Sequence, residues 1–154
     1  KKIAHQAELF GTFAVEFFLT QSGDLLVNEI APRVHNSAHY SQDIMTQSQF
    51  DLHIQAAVNA TTPVECSTHL KKDCFMFVMF NLIGTRTQFP STPPSLNQAT
   101  MLTDDAVFTH WYEKKESRKG RKMGHLNAFV SSDQDLDLLK SKLNQLRQKW
   151  EDLN

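Results

Sequence analysis

Two glutamates lie inside apolar segments on either side of a short turn. Glu16 lies within Phe13–Leu19, and Glu29 lies within Leu26–Ala31. Burying a carboxylate costs free energy unless the group is paired or binds a metal. If the two segments pair as a hairpin around residues 21–24, the carboxylates converge on one face and repel each other unless a cation lies between them. Mg²⁺ takes oxygen ligands of this kind, so the pair is a candidate metal site. The alternative is one exposed glutamate on each strand of a half-solvated sheet.

A cluster of polar side chains follows Glu29 directly. Arg33 carries a planar set of donors suited to carboxylate or phosphate, His35 can transfer a proton, and Asn36 adds an amide. His35 and His39 are four residues apart, which could indicate zinc, but no third ligand follows at the usual spacing. Each residue alone is typical of a solvated loop, whereas the whole cluster beside Glu29 favours a binding or catalytic site.

A third candidate is the basic segment 113–122, which holds six basic and two acidic side chains. A short basic loop with glycines can wrap a phosphate. The segment could instead be a solvated surface turn, or it could contact nucleic acid, although it holds no aromatic side chain on which bases could stack.

The apolar pattern predicts the elements that position these groups. Residues 12–20, as a buried strand, and residues 25–30 are predicted to form a β-hairpin around a turn that contains glycine. Residues 31–48 lack clear periodicity, which is typical of a loop that is either functional or disordered. The other predicted elements are a helix tail before Gly11, a helix at 48–59, a buried strand at 75–83, strands at 106–111 and 123–131, and a terminal helix marked by Leu136, Leu139, Leu143, Leu146 and Trp150.

The composition excludes several classes of protein. The chain has 154 residues, of which 40% are hydrophobic and 21% charged, and this balance excludes disorder and coiled coils. The net charge of −1 gives no basic field for nucleic acid, and the apolar run Cys74–Phe80 is far shorter than the ~20 residues that span a bilayer. Two cysteines are too few for a disulfide framework and indicate a reducing compartment, the cytoplasm. The chain opens without methionine or a signal segment and part-way into a helical pattern, so we expect it to be part of a longer protein.

Four short motifs follow one another along the chain: Val15-Glu16-Phe17-Phe18, Asn28–Ser37, Ser48-Gln49-Phe50 and Gly120–Leu126. This ordered set resembles the carboxy-terminal part of the N5-carboxyaminoimidazole ribonucleotide synthase family. The resemblance implies an α+β fold in which residues 1–60 form the end of an ATP-grasp domain, as a hairpin plus helix, and residues 61–154 form a small α/β domain. It also implies a homodimeric ligase of purine biosynthesis. That enzyme uses ATP, Mg²⁺ and bicarbonate to carboxylate 5-aminoimidazole ribonucleotide through carboxyphosphate, with no nucleic-acid or membrane partner.

By this resemblance, the first two motifs carry the metal and the catalytic groups. Glu16 and Glu29 match the acidic pair that holds Mg²⁺ under the ATP phosphates, and Asn28 stands beside them in the nucleotide site. The catalytic loop that meets bicarbonate and its phosphorylated form matches Arg33, His35 and Asn36.

By the same resemblance, the basic segment faces the phosphate of the ribonucleotide. Lys115 matches the catalytic lysine, and the substrate-binding residues are Arg118, Arg121 and Lys122. One extra residue before Glu116 leaves Lys114 open as the alternative match for the lysine. Ala38 replaces a glycine of the family motif, so a positive φ at this position would strain the backbone.

Two other functions stay open. The formate-dependent ribonucleotide transformylase, a related ATP-grasp enzyme, shares the acidic pair and a similar loop, but that loop usually continues with Asp where this chain has Asn36. A non-catalytic module for binding or dimerisation is the second alternative. The isolated chain lacks most of the family's ATP site by this comparison, and we expect it to be inactive.

Overall fold

The computed structural model describes residues 2–58, 69–70, 74–85, 107–132 and 136–153. The chain divides into two compact units, Lys1–Lys71 and Lys72–Asn154. The domain boundary predicted between residues 60 and 61 lies outside the described residues. Within the described ranges, no helix is both long enough and apolar enough to span a membrane.

The first unit contains a two-stranded antiparallel hairpin and short helices. Strands β1 (Ala14–Leu19) and β2 (Leu25–Ala31) confirm the predicted hairpin. The Thr20 N–H donates to the Asp24 carbonyl at 2.9 Å, and Gly23 has a φ of +89°, which glycine adopts without steric cost. The helices of this unit are α1 (Lys2–Gln6), a 3₁₀ helix (Asn36–Ala38), α2 (Ser41–Ile44) and α3 (Gln49–Val58).

The apolar side chains of the hairpin are exposed, so the prediction of a buried first strand is wrong. Phe17, Phe18 and Leu19 are 51%, 59% and 71% exposed, and Leu25 on the facing strand is 67% exposed. An apolar sequence predicts that a strand is covered, but it does not say by what. Among the described residues of this unit, nothing covers this part of the hairpin, which leaves an apolar patch of the kind that marks an interaction surface.

The segment 31–48 contains two short helices that its pattern does not predict. Helices of three and four residues are too short to show a period of 3.6. Side-chain hydrogen bonds stabilise them instead. His35 Nδ1 accepts from the Ser37 N–H at 3.3 Å, and Ser41 Oγ donates to the Ala38 carbonyl at 2.6 Å.

The second unit is an antiparallel sheet with a helix packed on it. Its described strands are β3 (Met76–Ile83), β4 (Val107–Trp111) and β5 (Lys122–Val130), in the order β3-β5-β4, and the helix is α4 (Leu136–Leu153). The bounds of β3 and β5 lie within one residue of the predicted ones, and the mixed helix and sheet class is confirmed. The prediction that β3 is buried is wrong at its start, where Met76 and Phe77 are exposed, and right at Leu82, which is fully buried. Trp150 of α4 donates its Nε1–H to the Ile83 carbonyl at 2.7 Å. The buried core consists of Leu82, Val107, Met123, Leu126, Ala128, Leu139, Leu146 and Trp150.

Candidate functional site

Glu16 and Glu29 face each other across the hairpin. Glu16 is the register partner of Glu29, and the next pair is Phe17 with Val27, so Asn28 is the extra residue of a β-bulge. Register partners lie on the same face of an antiparallel pair. The Asn28 Nδ2 donates to Glu16 Oε2 at 3.3 Å, so the bulge brings this amide to the same face. Glu16, Asn28 and Glu29 are named the acidic cluster.

His35 binds the second carboxylate oxygen of Glu16. Its Nε2 lies 2.8 Å from Glu16 Oε1, and its Nδ1 accepts from the Ser37 N–H. Because a carboxylate oxygen accepts hydrogen bonds, Nε2 is the donor to Glu16, and the Nδ1 of the same ring lies 2.7 Å from Ser37 Oγ. An amide therefore holds one oxygen of Glu16 and an imidazole holds the other, and together they orient the carboxylate.

The acidic cluster is open to solvent rather than buried. The Glu16 side chain is 38% exposed, and Glu29 is also exposed. No described side chain forms a hydrogen bond or an ion pair with the Glu29 carboxylate. Although Glu16 and Glu29 lie inside apolar strands, their carboxylates are not buried, because the described residues of this unit do not cover the hairpin.

The donor set of the acidic cluster fits a hard cation. Two carboxylates and an amide oxygen are suitable ligands for Mg²⁺, which usually completes its shell with water and substrate oxygens. The zinc alternative at His35 and His39 gains no support. No group of three or more His, Cys, Asp or Glu that could hold a metal occurs in the part of the chain that the structure describes.

Of the three loop residues predicted to be catalytic, His35 alone bonds to the acidic cluster within the described ranges. Arg33 is exposed, and its Nη1 donates to the Val34 carbonyl at 3.0 Å. Asn36 begins the 3₁₀ helix, and Ala38 ends it. The φ of Ala38 is not positive, so the strain expected from an alanine at this position is absent.

Gln49 contacts this loop, and no sequence pattern predicts it as a site residue. It is the first residue of α3 and is only 5% exposed. Its side-chain amide bonds to both the N–H and the carbonyl of His35. Its place in the motif Ser48-Gln49-Phe50 is the one sequence signal that marked it, because a glutamine at the start of a helix is otherwise expected at the surface.

The segment 113–122, named the basic loop, is anchored to the end of β3. The Gly84 N–H donates to the Arg121 carbonyl at 2.8 Å, and the Gly120 N–H donates to the Gly84 carbonyl at 2.9 Å. A Cβ atom at Gly84 would overlap the Arg118 carbonyl oxygen and lie 2.5 Å from Ser117 Oγ. Close packing against this glycine therefore fixes the path of the loop.

Glu116 brings two arginines of the basic loop together. Its carboxylate forms ion pairs with Arg118 Nε and with Arg121 Nη1, the latter at 3.3 Å. The Arg118 side chain is 65% exposed, and Lys122 is exposed at the start of β5. Because one carboxylate is shared by two guanidinium groups, the loop keeps a net positive charge and N–H donors that could bind an anion.

The structure distinguishes Lys114 from Lys115. Lys114 Nζ donates to the Lys122 carbonyl at 2.5 Å and lies 5.3 Å from the centre of the Tyr112 ring. Burial lowers the pKa of Lys114, and the nearby charges of Arg121 and Lys122 lower it further. Lys115, the predicted catalytic lysine, is exposed. Lys114 is therefore the better candidate for the functional lysine.

Comparison with known proteins gives matches in both units. Residues 1–50 match the ATP-grasp domain family, and residues 78–138 match the phosphoribosylaminoimidazole carboxylase C-terminal domain. The N5-carboxyaminoimidazole ribonucleotide synthase of Bacillus subtilis (strain 168) is 37% identical over 149 residues, which are 97% of this chain and 34% of that protein.

Two solved structures are similar to the fold. The N5-carboxyaminoimidazole ribonucleotide synthetase of Thermotoga maritima matches with a TM-score of 0.73 and 35% identity, over 95% of this chain and 38% of that chain. The Aspergillus clavatus N5-carboxyaminoimidazole synthase, solved with ADP and 5-aminoimidazole ribonucleotide, matches with a TM-score of 0.68 and 28% identity, over 92% of this chain and 35% of that chain.

The chain spans about a third of the length of the relatives that it matches. The two domain matches follow each other along the chain in the order that the motifs predicted. The chain therefore belongs to the N5-carboxyaminoimidazole ribonucleotide synthase family of ATP-grasp proteins and corresponds to the carboxy-terminal part of its members.

Proposed function

We propose that the protein carrying this chain carboxylates 5-aminoimidazole ribonucleotide to N5-carboxyaminoimidazole ribonucleotide, with ATP and bicarbonate, in purine biosynthesis. The observation that carries the proposal is the acidic cluster with His35 bound to it, in a chain whose relatives are named for this product. A bicarbonate oxygen attacks the γ-phosphorus of ATP, and ADP leaves. The exocyclic amine of the ribonucleotide then attacks the carbon of carboxyphosphate, and phosphate leaves.

The acidic cluster is proposed to hold Mg²⁺ through Glu16 and Glu29, with Asn28 beside them. Bound Mg²⁺ would neutralise the oxygens of the ATP phosphates as negative charge develops during phosphoryl transfer. The contribution of the chain is to present oriented oxygen ligands. His35 and Asn28 fix Glu16 from two sides, and Glu29 faces solvent with its carboxylate available.

The loop after β2 is proposed to bind bicarbonate and carboxyphosphate. The exposed Arg33 guanidinium carries several N–H donors in a planar array that suits carboxylate and phosphate oxygens. Asn36 adds an amide, and the ring of His35 is held against Glu16. Fixed donors of this kind stabilise the charge that spreads over the transferred phosphoryl group.

The basic loop is proposed to bind the phosphate of the ribonucleotide through Arg118, Arg121 and Lys122. Its net positive charge and its anchored backbone support this assignment. Lys114, rather than Lys115, is proposed as the catalytic lysine. Its lowered pKa makes it a better proton donor than an exposed lysine would be.

The homodimeric assembly and the cytoplasmic location that the family implies are proposals for the full-length protein. The isolated chain is proposed to be inactive toward ATP. The chain spans about a third of the length of its relatives. By the family resemblance, the adenine pocket and the phosphate-covering lid belong to the other two thirds.

The test is an assay of the full-length gene product with ATP, labelled bicarbonate and 5-aminoimidazole ribonucleotide. We expect ADP release that requires both substrates, together with label in the product. Release that requires formate instead of bicarbonate would show the transformylase reaction and refute the proposal.

The variant Glu29→Gln tests the acidic cluster in the same assay. It removes a metal ligand without changing shape, so turnover should fall at least about tenfold. Because Glu29 is exposed, the free energy of unfolding should change by no more than about 0.5 kcal/mol. Glu8→Gln, an exposed glutamate outside the cluster, is the matched control and should leave turnover unchanged.

A further inference from the structure

We propose that Gln49 is a positioning residue that holds His35 against Glu16. The inference deepens the proposed function and rests on it, because it concerns the orientation of the acidic cluster. The Gln49 Oε1 accepts the His35 N–H at 2.8 Å, and the Gln49 Nε2 donates to the His35 carbonyl at 2.9 Å. Both backbone groups of His35 are thus bound by the side chain of one residue, and that residue is only 5% exposed.

The hydrogen-bonding capacity of the Gln49 amide fixes its orientation. Because its oxygen accepts a backbone N–H, its nitrogen is the atom that donates to the His35 carbonyl. The second N–H of that nitrogen points to His39 Nδ1, 2.7 Å away, which must therefore be the accepting nitrogen of that ring. The oxygen and both hydrogens of the amide are engaged, and a fully satisfied buried group of this kind makes a rigid support.

Gln49 is itself held from two directions. Its backbone N–H donates to Ser41 Oγ at 3.0 Å, and Ser41 Oγ donates to the Ala38 carbonyl. Its carbonyl accepts from Thr12 Oγ1 at 3.2 Å, just before β1, the strand that carries Glu16. The start of α3 is therefore bound both to the loop and to the approach to the strand.

The Gln49 side chain acts on the acidic cluster through His35. Its hydrogen bonds go to the backbone of His35 and to His39, while the ring of His35 makes the 2.8 Å bond to Glu16. Without the amide, the His35 N–H would lose this acceptor, and the His35 carbonyl would keep the Ala38 N–H, which lies 3.0 Å away. The backbone of His35, and with it the ring, would then be held less firmly against Glu16.

The experiment uses Gln49→Met in the full-length gene product, because methionine keeps the length and volume of the side chain but cannot donate or accept as the amide does. We expect kcat to fall at least about tenfold while the KM values for ATP and 5-aminoimidazole ribonucleotide stay within about twofold, since an orienting role is felt in the transition state. Gln47→Met, the same change two residues away, is the control and should leave kcat unchanged.

A double-mutant cycle with His35→Ala separates positioning from a general structural role. If Gln49 acts through His35, the double variant should be no slower than His35→Ala alone. Losses that multiply in the double variant, or a Gln49→Met variant with wild-type kcat, would overturn the inference while the proposed function stands. A His35→Ala variant with wild-type kcat would overturn the proposed role of His35, and the inference with it.

A second variant is the control for a loss of folding. Gln49→Asn keeps the amide at the start of the helix but is one methylene too short to reach both backbone groups of His35. It should show the same non-additive loss of kcat with a thermal unfolding midpoint closer to that of the wild type. Full activity of a folded Gln49→Asn variant would contradict the inference.

Discussion

Lys114 is partly buried beside two other positive charges, and these surroundings lower its pKa. Burial is the first cause that lowers its pKa, and the charges of Arg121 and Lys122 add to it. We expect an NMR titration of ¹³C-methylated lysines to give a pKa for Lys114 below the ordinary value of a lysine side chain. Arg121→Gln should raise the pKa of Lys114, because it removes one neighbouring positive charge. A Lys114 pKa at the ordinary lysine value would contradict the structure.

The lowered pKa of Lys114 also fixes the sign of its effect on stability. Between its folded pKa and its ordinary value near 10.4, the unfolded chain binds more protons at this group than the folded chain does. The contribution of Lys114 to the free energy of unfolding therefore rises as the pH rises through this range. It is lost again as the pH falls through the folded pKa.

Arg121 is expected to affect substrate binding more than turnover. If it binds the ribonucleotide phosphate, Arg121→Ala removes a charge-assisted contact worth roughly 1.5–3 kcal/mol, about ten- to a hundredfold in KM. The phosphate is distant from the reacting amine, so kcat should change less than KM. Arg147→Ala, which also breaks an arginine–glutamate pair but lies on α4, is the matched control in steady-state kinetics. An unchanged KM for the ribonucleotide would favour the alternative interpretation, in which the basic loop is a solvated surface turn.

At the residue scale, the sequence predicted which residues face each other but not the local contacts that orient their side chains. Positions on either side of a short turn were enough to predict that Glu16 and Glu29 face each other. The bulge at Asn28 was not predictable, because one extra residue leaves the apolar pattern of the strand intact. Lys114 and Lys115 are adjacent and chemically identical in the sequence, so only their contacts distinguish them.

At the scale of elements, the end of β3 determines the shape of the basic loop. Gly84→Ala would place a Cβ against the backbone of Arg118, and backbone yields less easily than a flexible side chain. We expect a loss of about 1–3 kcal/mol in the free energy of unfolding, measured by denaturant titration, because overpacking a tight contact costs this much. The two backbone hydrogen bonds between Gly84 and the loop should lengthen, which NMR shifts at residues 118–121 would report.

A neighbouring position provides the control for Gly84. Thr85 is exposed, so Thr85→Ala should change the unfolding free energy by no more than about 0.5 kcal/mol. If Gly84→Ala behaves like Thr85→Ala, the close contact with the loop is not present in solution.

The bounds of long elements were predicted well, whereas the shortest helices were not predicted at all. Strands β3, β4 and β5 and the helix α4 each carry enough residues to show alternation or a helical stripe. The 3₁₀ helix and α2 have three and four residues, and side-chain hydrogen bonds rather than a pattern stabilise them. Burial of β1 was predicted wrongly. An apolar strand indicates that other residues should pack on it, but its sequence does not show that they do.

At the scale of the whole molecule, the two sheets differ in how many neighbours each strand has. Strand β5 pairs with β3 on one side and β4 on the other, and Met123, Leu126 and Ala128 are fully buried. Among the described residues, β1 and β2 pair with each other alone, and isolated two-stranded hairpins are marginally stable in water. The stability of the chain should therefore be uneven along its length.

Hydrogen exchange measured by mass spectrometry on the 154-residue chain tests this difference. We expect peptides from residues 122–130 to exchange at least about tenfold more slowly than peptides from residues 14–31, because local opening of a two-stranded hairpin breaks fewer hydrogen bonds and exposes less new apolar surface. The hairpin side chains such as Leu19 are already largely in water, so opening costs little hydrophobic free energy. Equal protection of the two segments would mean that something covers the hairpin in solution, for example a second copy of the chain. A protection factor for residues 14–31 that rises with protein concentration would identify self-association as that cover.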